Sequence, residues 1–157
     1  MSEPGLRILV IGFGNPGRRD DGLGPALADR IEALDLPGVT VERDYQLCIE
    51  HAELAASHDV VAFVDAAVDV DGGAPFYLRR VHPAPASSYS SHSLAPSAVL
   101  ELASECFGKS PRGWVLGIRA ADVTSFTEGL TEEAEANLAA AVGGLLDAVR
   151  SGLLGGD

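Results

Sequence analysis

The side chains best equipped for chemistry in this sequence are a few carboxylates and one histidine. Asp20 and Asp21 stand side by side just after a glycine-rich stretch. Asp65 follows an apolar run, and His92 sits among serines and prolines. A carboxylate accepts protons and binds cations, and an imidazole adds a nitrogen ligand that titrates near neutrality. Asp21, Asp65 and His92 together would make a three-ligand metal site with open positions. Such a mixed oxygen and nitrogen set suits divalent ions such as nickel or zinc. Each residue also has a plain reading. Asp20-Asp21-Gly22 reads as turn residues with Asp21 capping a helix, Asp65 as a turn starter, and His92 as an exposed loop residue. What separates the two readings is whether the surrounding elements bring the three together.

Those elements alternate. Residues 6–11 are short, rich in Ile, Leu and Val and bounded by glycine, which predicts a strand buried on both faces and ending near Gly12. A helix follows from Asp21 or Gly22, with Leu23, Leu27, Ile31 and Leu34 as its apolar stripe. Residues 39–42 read as a second strand, 49–57 as a short helix, and 58–65 as a buried strand ending on Asp65. Residues 76–81 read as an edge strand, since Arg79 and Arg80 suit an exposed border. A helix over 95–107, a strand over 114–118 and a last helix opened by Thr131-Glu132-Glu133 complete the chain. Leu138, Val142, Leu145, Leu146 and Val149 give that last helix its core face.

This order predicts a three-layer α/β/α sandwich with a mostly parallel twisted sheet and one antiparallel edge strand, as a single domain over residues 1–157. Ligand sites in open parallel sheets lie beyond the carboxyl ends of the strands. Asp21 and Asp65 both fall at such ends. His92 precedes a helix that packs on the same sheet, so the order predicts that the three converge on one crevice.

Composition excludes several function classes. Hydrophobic residues make up 46% of the 157, enough for a real core, and no run is long enough to span a bilayer. No basic leader precedes the first strand, so a cytoplasmic location is expected. The net charge of −12 works against nucleic-acid binding, because phosphate contacts need Lys and Arg and only 11 exist. Cys48 and Cys106 are isolated thiols that read as small apolar residues in a reducing compartment and argue against a zinc cage. His51, His58 and His82 are weak ligand candidates: His51 falls within a helix, His58 precedes a strand at its amino end, and His82 follows an edge strand.

The stretch Gly12-Phe13-Gly14-Asn15-Pro16-Gly17 matches a dinucleotide fingerprint, with Glu42 as a candidate ribose-binding acid. In that motif the helix begins within the glycines and faces the pyrophosphate. Here Pro16 and Arg18 to Asp21 intervene, and two carboxylates would repel a phosphate. The same stretch resembles the opening of peptidyl-tRNA hydrolases. The His-Asn pair of those enzymes has no counterpart in Arg19-Asp20-Asp21-Gly22, and an acidic chain disfavours tRNA.

Taken together, residues 11–15, Asp20 to Gly24, Val64-Asp65-Ala66 and Ser91-His92-Ser93-Leu94 resemble the hydrogenase maturation endopeptidases. These trim the C-terminus of the nickel–iron hydrogenase large subunit. The stretch from Gly117-Ile118 to the helix opened by Leu130-Thr131 looks like that family's end, so the resemblance runs over nearly the whole chain. It implies an aspartyl-endopeptidase-like hydrolase acting on a large-subunit precursor. The nickel would arrive in the precursor and no permanent cofactor would be held. It also implies that Asp21, Asp65 and His92 contact that nickel. Within this reading Asp21 and Asp20 are the catalytic candidates, Asp20 as a general base or as an orienter of neighbouring groups, and Asn15 would place an amide near the cleaved bond. The glycines would let backbone approach a bulky substrate. Tyr45 to Glu50 resembles a Gln-Leu-x-Pro-Glu stretch of the branch that acts on cytoplasmic, cofactor-reducing hydrogenases, although Ile49 replaces the proline. Gln46 and Glu50 thus become substrate-binding candidates, and a monomer is expected.

Overall fold

The computed structural model describes residues 5–86 and 93–156. Five strands form one sheet in the order β2-β1-β3-β5-β4. They are β1 (Ile8–Phe13), β2 (Val39–Asp44), β3 (Val60–Ala67), β4 (Phe76–Val81) and β5 (Arg112–Arg119). The first four in that spatial order are parallel, and β4 pairs antiparallel with β5 at the edge. Four α-helices cover the sheet: α1 (Leu23–Ala33), α2 (Ile49–Ala56), α3 (Pro96–Phe107) and α4 (Glu132–Ser151). The three-layer reading is therefore correct, antiparallel edge included.

The strand sequences explain the two-faced core. Side chains alternate along a strand. Ile8 and Val10 of β1 accordingly join Val60, Ala62 and Val64 of β3 under α1 and α4, where Leu27, Ile31, Leu138 and Leu145 meet them. Leu9 and Ile11, with Val61 and Phe63, face the other way onto Ala52 and Ala55 of α2 and Val99 and Leu100 of α3. Strands apolar at every position need cover on both faces, and that is what the helices supply.

Several boundaries differ from the sequence reading. The α1 stripe stops short of Leu34, which is 47% exposed. The helix ends at Ala33, and Asp35 takes a left-handed φ of 47° that turns the chain away. Leu146 is absent from the α4 core face, where the small residues Ala134, Ala141 and Ala148 are buried instead. β2 and β3 each run two residues beyond the expected ends, to Asp44 and Ala67.

β1 and β3 are neighbours, yet the chain leaves them in opposite directions. From β1 it passes through α1 to β2 at one border, and from β3 it heads for β4 and β5 at the other. α1 and α3 also lie on opposite faces. The carboxyl ends of β1 and β3 are thus a topological switch point, where such sheets open a crevice.

Candidate functional site at the switch point

The loop leaving β1 is shaped by its own backbone. Gly14 adopts φ +142°, and its N–H reaches the Asp44 carbonyl at 3.0 Å. The Asn15 N–H donates to Asp21 Oδ2 at 2.8 Å, and the Gly17 N–H to Asn15 Oδ1 at 2.9 Å. A 3-10 helix, Arg19–Gly22, then leads into α1. Asp21 does not cap α1: Gly22 holds that position without a side-chain bond, and the Asp21 carboxylate folds back on Asn15.

The glycines serve the interior. A side chain at Gly12 would strike the Gly24 carbonyl, and one at Gly24 would strike the carbonyls of Phe13 and Val64. These contacts seat the start of α1 on the ends of β1 and β3. A side chain at Gly14 would strike the Asp21 carbonyl. This corrects the expectation that the glycines clear room for a substrate. It also disposes of a phosphate cradle, since α1 begins only after the two aspartates.

Asp20 and Asp21 point to different places. Asp20 is fully buried. Its Oδ2 accepts from the N–H groups of Ala121 and Asp122 at 2.8 and 2.9 Å and from the Thr131 hydroxyl at 2.8 Å. Its Oδ1 accepts from the Thr131 N–H at 2.8 Å. Burial alone would raise its pKa, but these bonds, led by the Thr131 and Asp122 N–H groups, outweigh it and hold the carboxyl below its ordinary value. Asp20 is thus no general base. It is a saturated carboxylate that clips the first loop to the connection before α4. The Arg19 N–H adds a bond to the Thr127 carbonyl at 2.9 Å, and Arg19 itself takes a left-handed φ of 55°.

Asp65 is the opposite case. Among the described residues, it receives one hydrogen bond, from the adjacent Ala66 N–H at 2.8 Å. Burial pushes its pKa up from 3.8 to about 6, partly offset by that bond and reinforced by the negative charge of Asp21. The two carboxylates are therefore close enough to feel each other. Asp65 lines a crevice of about 610 Å³ with Phe13, Tyr77, Leu94 and Val115. A desolvated acid beside a second acid in a cleft is an arrangement that favours a cation or a proton donor role.

His92 lies outside the described residues. Ser93 and Leu94, its neighbours in sequence, line the crevice, and the Leu94 N–H bonds the Leu47 carbonyl at 3.1 Å. Gln46, in the turn between β2 and α2, and Glu50, in the first turn of α2, are both exposed beyond the same sheet edge. His58 is occupied, with Nδ1 2.9 Å from the Leu54 carbonyl oxygen, and His82 is exposed.

Three participants escaped the sequence reading. Thr131 was read as a cap, and its hydroxyl does accept from the Ala134 N–H at 3.1 Å, but it also donates to Asp20. Asp122 had drawn no attention. Bonds from the Ser125 hydroxyl and N–H and the Thr124 N–H lower its pKa to about 2 and close the loop before α4. Arg18 stacks 5.0 Å from the ring centre of Phe126, an 84% exposed residue of that loop. An Asp-x-x-Ser pattern was the available signal for Asp122.

No family model and no curated relative matches the sequence. Solved structures do match. The [NiFe] hydrogenase maturation protease HycI of Thermococcus kodakarensis superposes with a TM-score of 0.69 at 22% identity over 94% of each chain. The hydrogenase maturating endopeptidase HybD of Escherichia coli gives 0.67 at 22% over 93% of each. A further Escherichia coli endopeptidase, solved in solution, gives 0.70 at 24% over 93% of each. The chain has the hydrogenase maturation protease fold. Likeness at this identity speaks for the architecture alone.

Proposed function

We propose that this protein is a hydrogenase maturation endopeptidase, which removes the C-terminal extension from the nickel-loaded precursor of a nickel–iron hydrogenase large subunit. The observation that carries the reading is the Asp21–Asp65 pair at the switch point of this fold, with Asp65 pushed up to about 6. Two carboxylates that repel each other in a cleft lack a positive charge. A nickel ion carried in by the precursor provides it and removes the penalty on the ionised form of Asp65.

In this reading Asp21 and Asp65 hold the precursor's nickel, with His92 as the third contact. The ion fixes one peptide bond in the crevice beside Phe13 and Tyr77, and positioning of this kind accounts for a large part of a hydrolytic rate. Asp20 contributes by holding the loop that carries Asp21. The Asn15 backbone N–H fastens Asp21, its side-chain amide would lie toward the cleaved bond, and Gln46 and Glu50 would meet the precursor farther out. The protein works as a monomer in the cytoplasm, and the nickel at this site belongs to the precursor.

The test is intact-mass measurement of nickel-loaded large-subunit precursor after incubation with the protein. Loss of the extension is the expected result. An uncut precursor, or equal cutting of metal-free precursor, would overturn the proposal. Binding without cutting would make the protein a nickel-checking chaperone. His92→Ala should slow cleavage by about 100-fold or more; an unchanged rate removes His92 from the site.

A further inference from the structure

The turn between β2 and α2 gathers a second set of metal-binding side chains. Asp44 ends β2, Cys48 immediately precedes α2, and His51 sits in the first turn of α2. Cys48 Sγ is 3.4 Å from His51 Nδ1, and His51 Nε2 is 3.6 Å from Asp44 Oδ2. One ligand atom from each residue lies within 4.8 Å of the others, and among the described residues no second group of this kind occurs. His51 is only 6% exposed, whereas Asp44 and Cys48 reach solvent. With metal–sulfur and metal–nitrogen bonds of about 2.3 and 2.0 Å, two ligands of one tetrahedral ion stand about 3.5 Å apart. The sulfur and Nδ1 already have that spacing.

The local hydrogen bonding does not account for the choice of residues. Cys48 and His51 form a reciprocal cap on α2: the Cys48 side chain accepts from the His51 N–H, and His51 Nδ1 accepts from the Cys48 N–H at 2.9 Å. Ser or Thr with Glu or Gln does the same work. Here both positions carry borderline-to-soft ligands instead. The charges agree with a cation, since the negative charges of Glu50 and Asp44 both act on Cys48 and Asp44 faces the imidazole.

We propose that Asp44, Cys48 and His51 form a binding site for a divalent transition metal of the zinc or nickel type at the β2–α2 turn. Cys48 Sγ and His51 Nδ1 are the ligand pair. As the metal–sulfur bond forms, the thiol proton leaves to solvent, and the Cys48 N–H gives up Nδ1 as its acceptor. Asp44 holds the far ring nitrogen, as carboxylates beside metal-bound histidines do, or completes the ligand set as the ring adjusts. Water fills what remains. The Gly14 N–H bond to the Asp44 carbonyl at 3.0 Å ties this turn to the loop carrying Asp21. The site is nevertheless separate from Asp21 and Asp65 and stands whether or not the protein cleaves a precursor.

The experiment is cobalt titration of the full-length protein carrying Cys106→Ser, which removes the other thiol. Expected is a thiolate-to-cobalt charge-transfer band saturating at one equivalent and displaced by zinc. Cys48→Ser keeps a capping oxygen and should abolish the band. His51→Asn keeps an acceptor for the Cys48 N–H and should weaken cobalt binding at least about tenfold. Asp65→Asn should leave the band unchanged. The proposal fails if the Cys106→Ser protein shows no band, if the band survives Cys48→Ser, if His51→Asn binds as tightly, or if Asp65→Asn removes it.

Discussion

Asp20, fully buried, and Asp65, partly buried, both lie beyond the carboxyl edge of one sheet, and they are held in contrary states. Asp20 receives four hydrogen bonds from Ala121, Asp122 and Thr131 and stays ionised. Asp65 receives one, from Ala66, loses part of its hydration, and is pushed to about 6. The difference lies in how much of the lost hydration the fold replaces. Where it replaces all of it, the carboxylate acts as a structural clip. Where it replaces little, the carboxylate keeps an unmet demand for positive charge, which is what a binding site offers a cation.

The largest effect should come from breaking the Asp65 side of this contrast. Asp65→Asn should lower cleavage of nickel-loaded precursor by about 100- to 1,000-fold while the protein stays folded; a drop below tenfold would place the metal contact elsewhere. On the other side, Asp20→Ala strands the N–H groups of Ala121, Asp122 and Thr131 and should cost about 4 kcal/mol in urea unfolding. A cost under about 1 kcal/mol would show that water substitutes for the clip.

The pH dependence separates the two further. For Asp65 the folded pKa of about 6 lies above the ordinary 3.8, so the native state binds the proton more tightly. Its ionisation costs stability above pH 6, and that cost is shed as pH falls toward 4. Asp65→Asn should therefore stabilise the protein at pH 7, by about 2 kcal/mol, with the gain vanishing near pH 4 in a series of thermal melts. Asp20 has the reverse sign: its lowered folded pKa stabilises above pH 4, and that is lost only as pH falls further. The smallest effect is expected from Thr131→Val, which removes the cap of α4 and one of the four bonds to Asp20. It should lower stability by about 1–2 kcal/mol and leave the pH dependence between 4 and 7 unchanged.

The fold was legible because its strands and helices announce themselves by periodicity. Strands such as Ile8-Leu9-Val10-Ile11 are apolar at every position, and the stripe Leu23, Leu27, Ile31 repeats at helical spacing. The edge position of residues 76–81 followed from Arg79 and Arg80. Where periodicity carried on past a helix end, as at Leu34, the reading overshot. For the site, chain order and strand ends were enough to set Asp21 and Asp65 near each other beyond the sheet edge, where the charge of one acts on the other. The role of Asp20 was not readable, since its partners lie 101 to 111 positions away and two of them contribute only backbone N–H groups. Cys48 and His51 hid for another reason. Their spacing of three fits an ordinary helix start, and Asp44 joins them only because β2 runs two residues longer than its apolar pattern.

The clip between Asp20 and Thr131 also sets a schedule for biosynthesis. The loop that presents Asp21 is encoded near the start of the chain, yet its anchor is made 111 residues later. A nascent chain can complete β1, β2 and β3 while that loop still lacks its fastening. The fastening is complete only when α4 begins to form, so a chain interrupted before Thr131 keeps the Asn15 bond to Asp21 but lacks the clip.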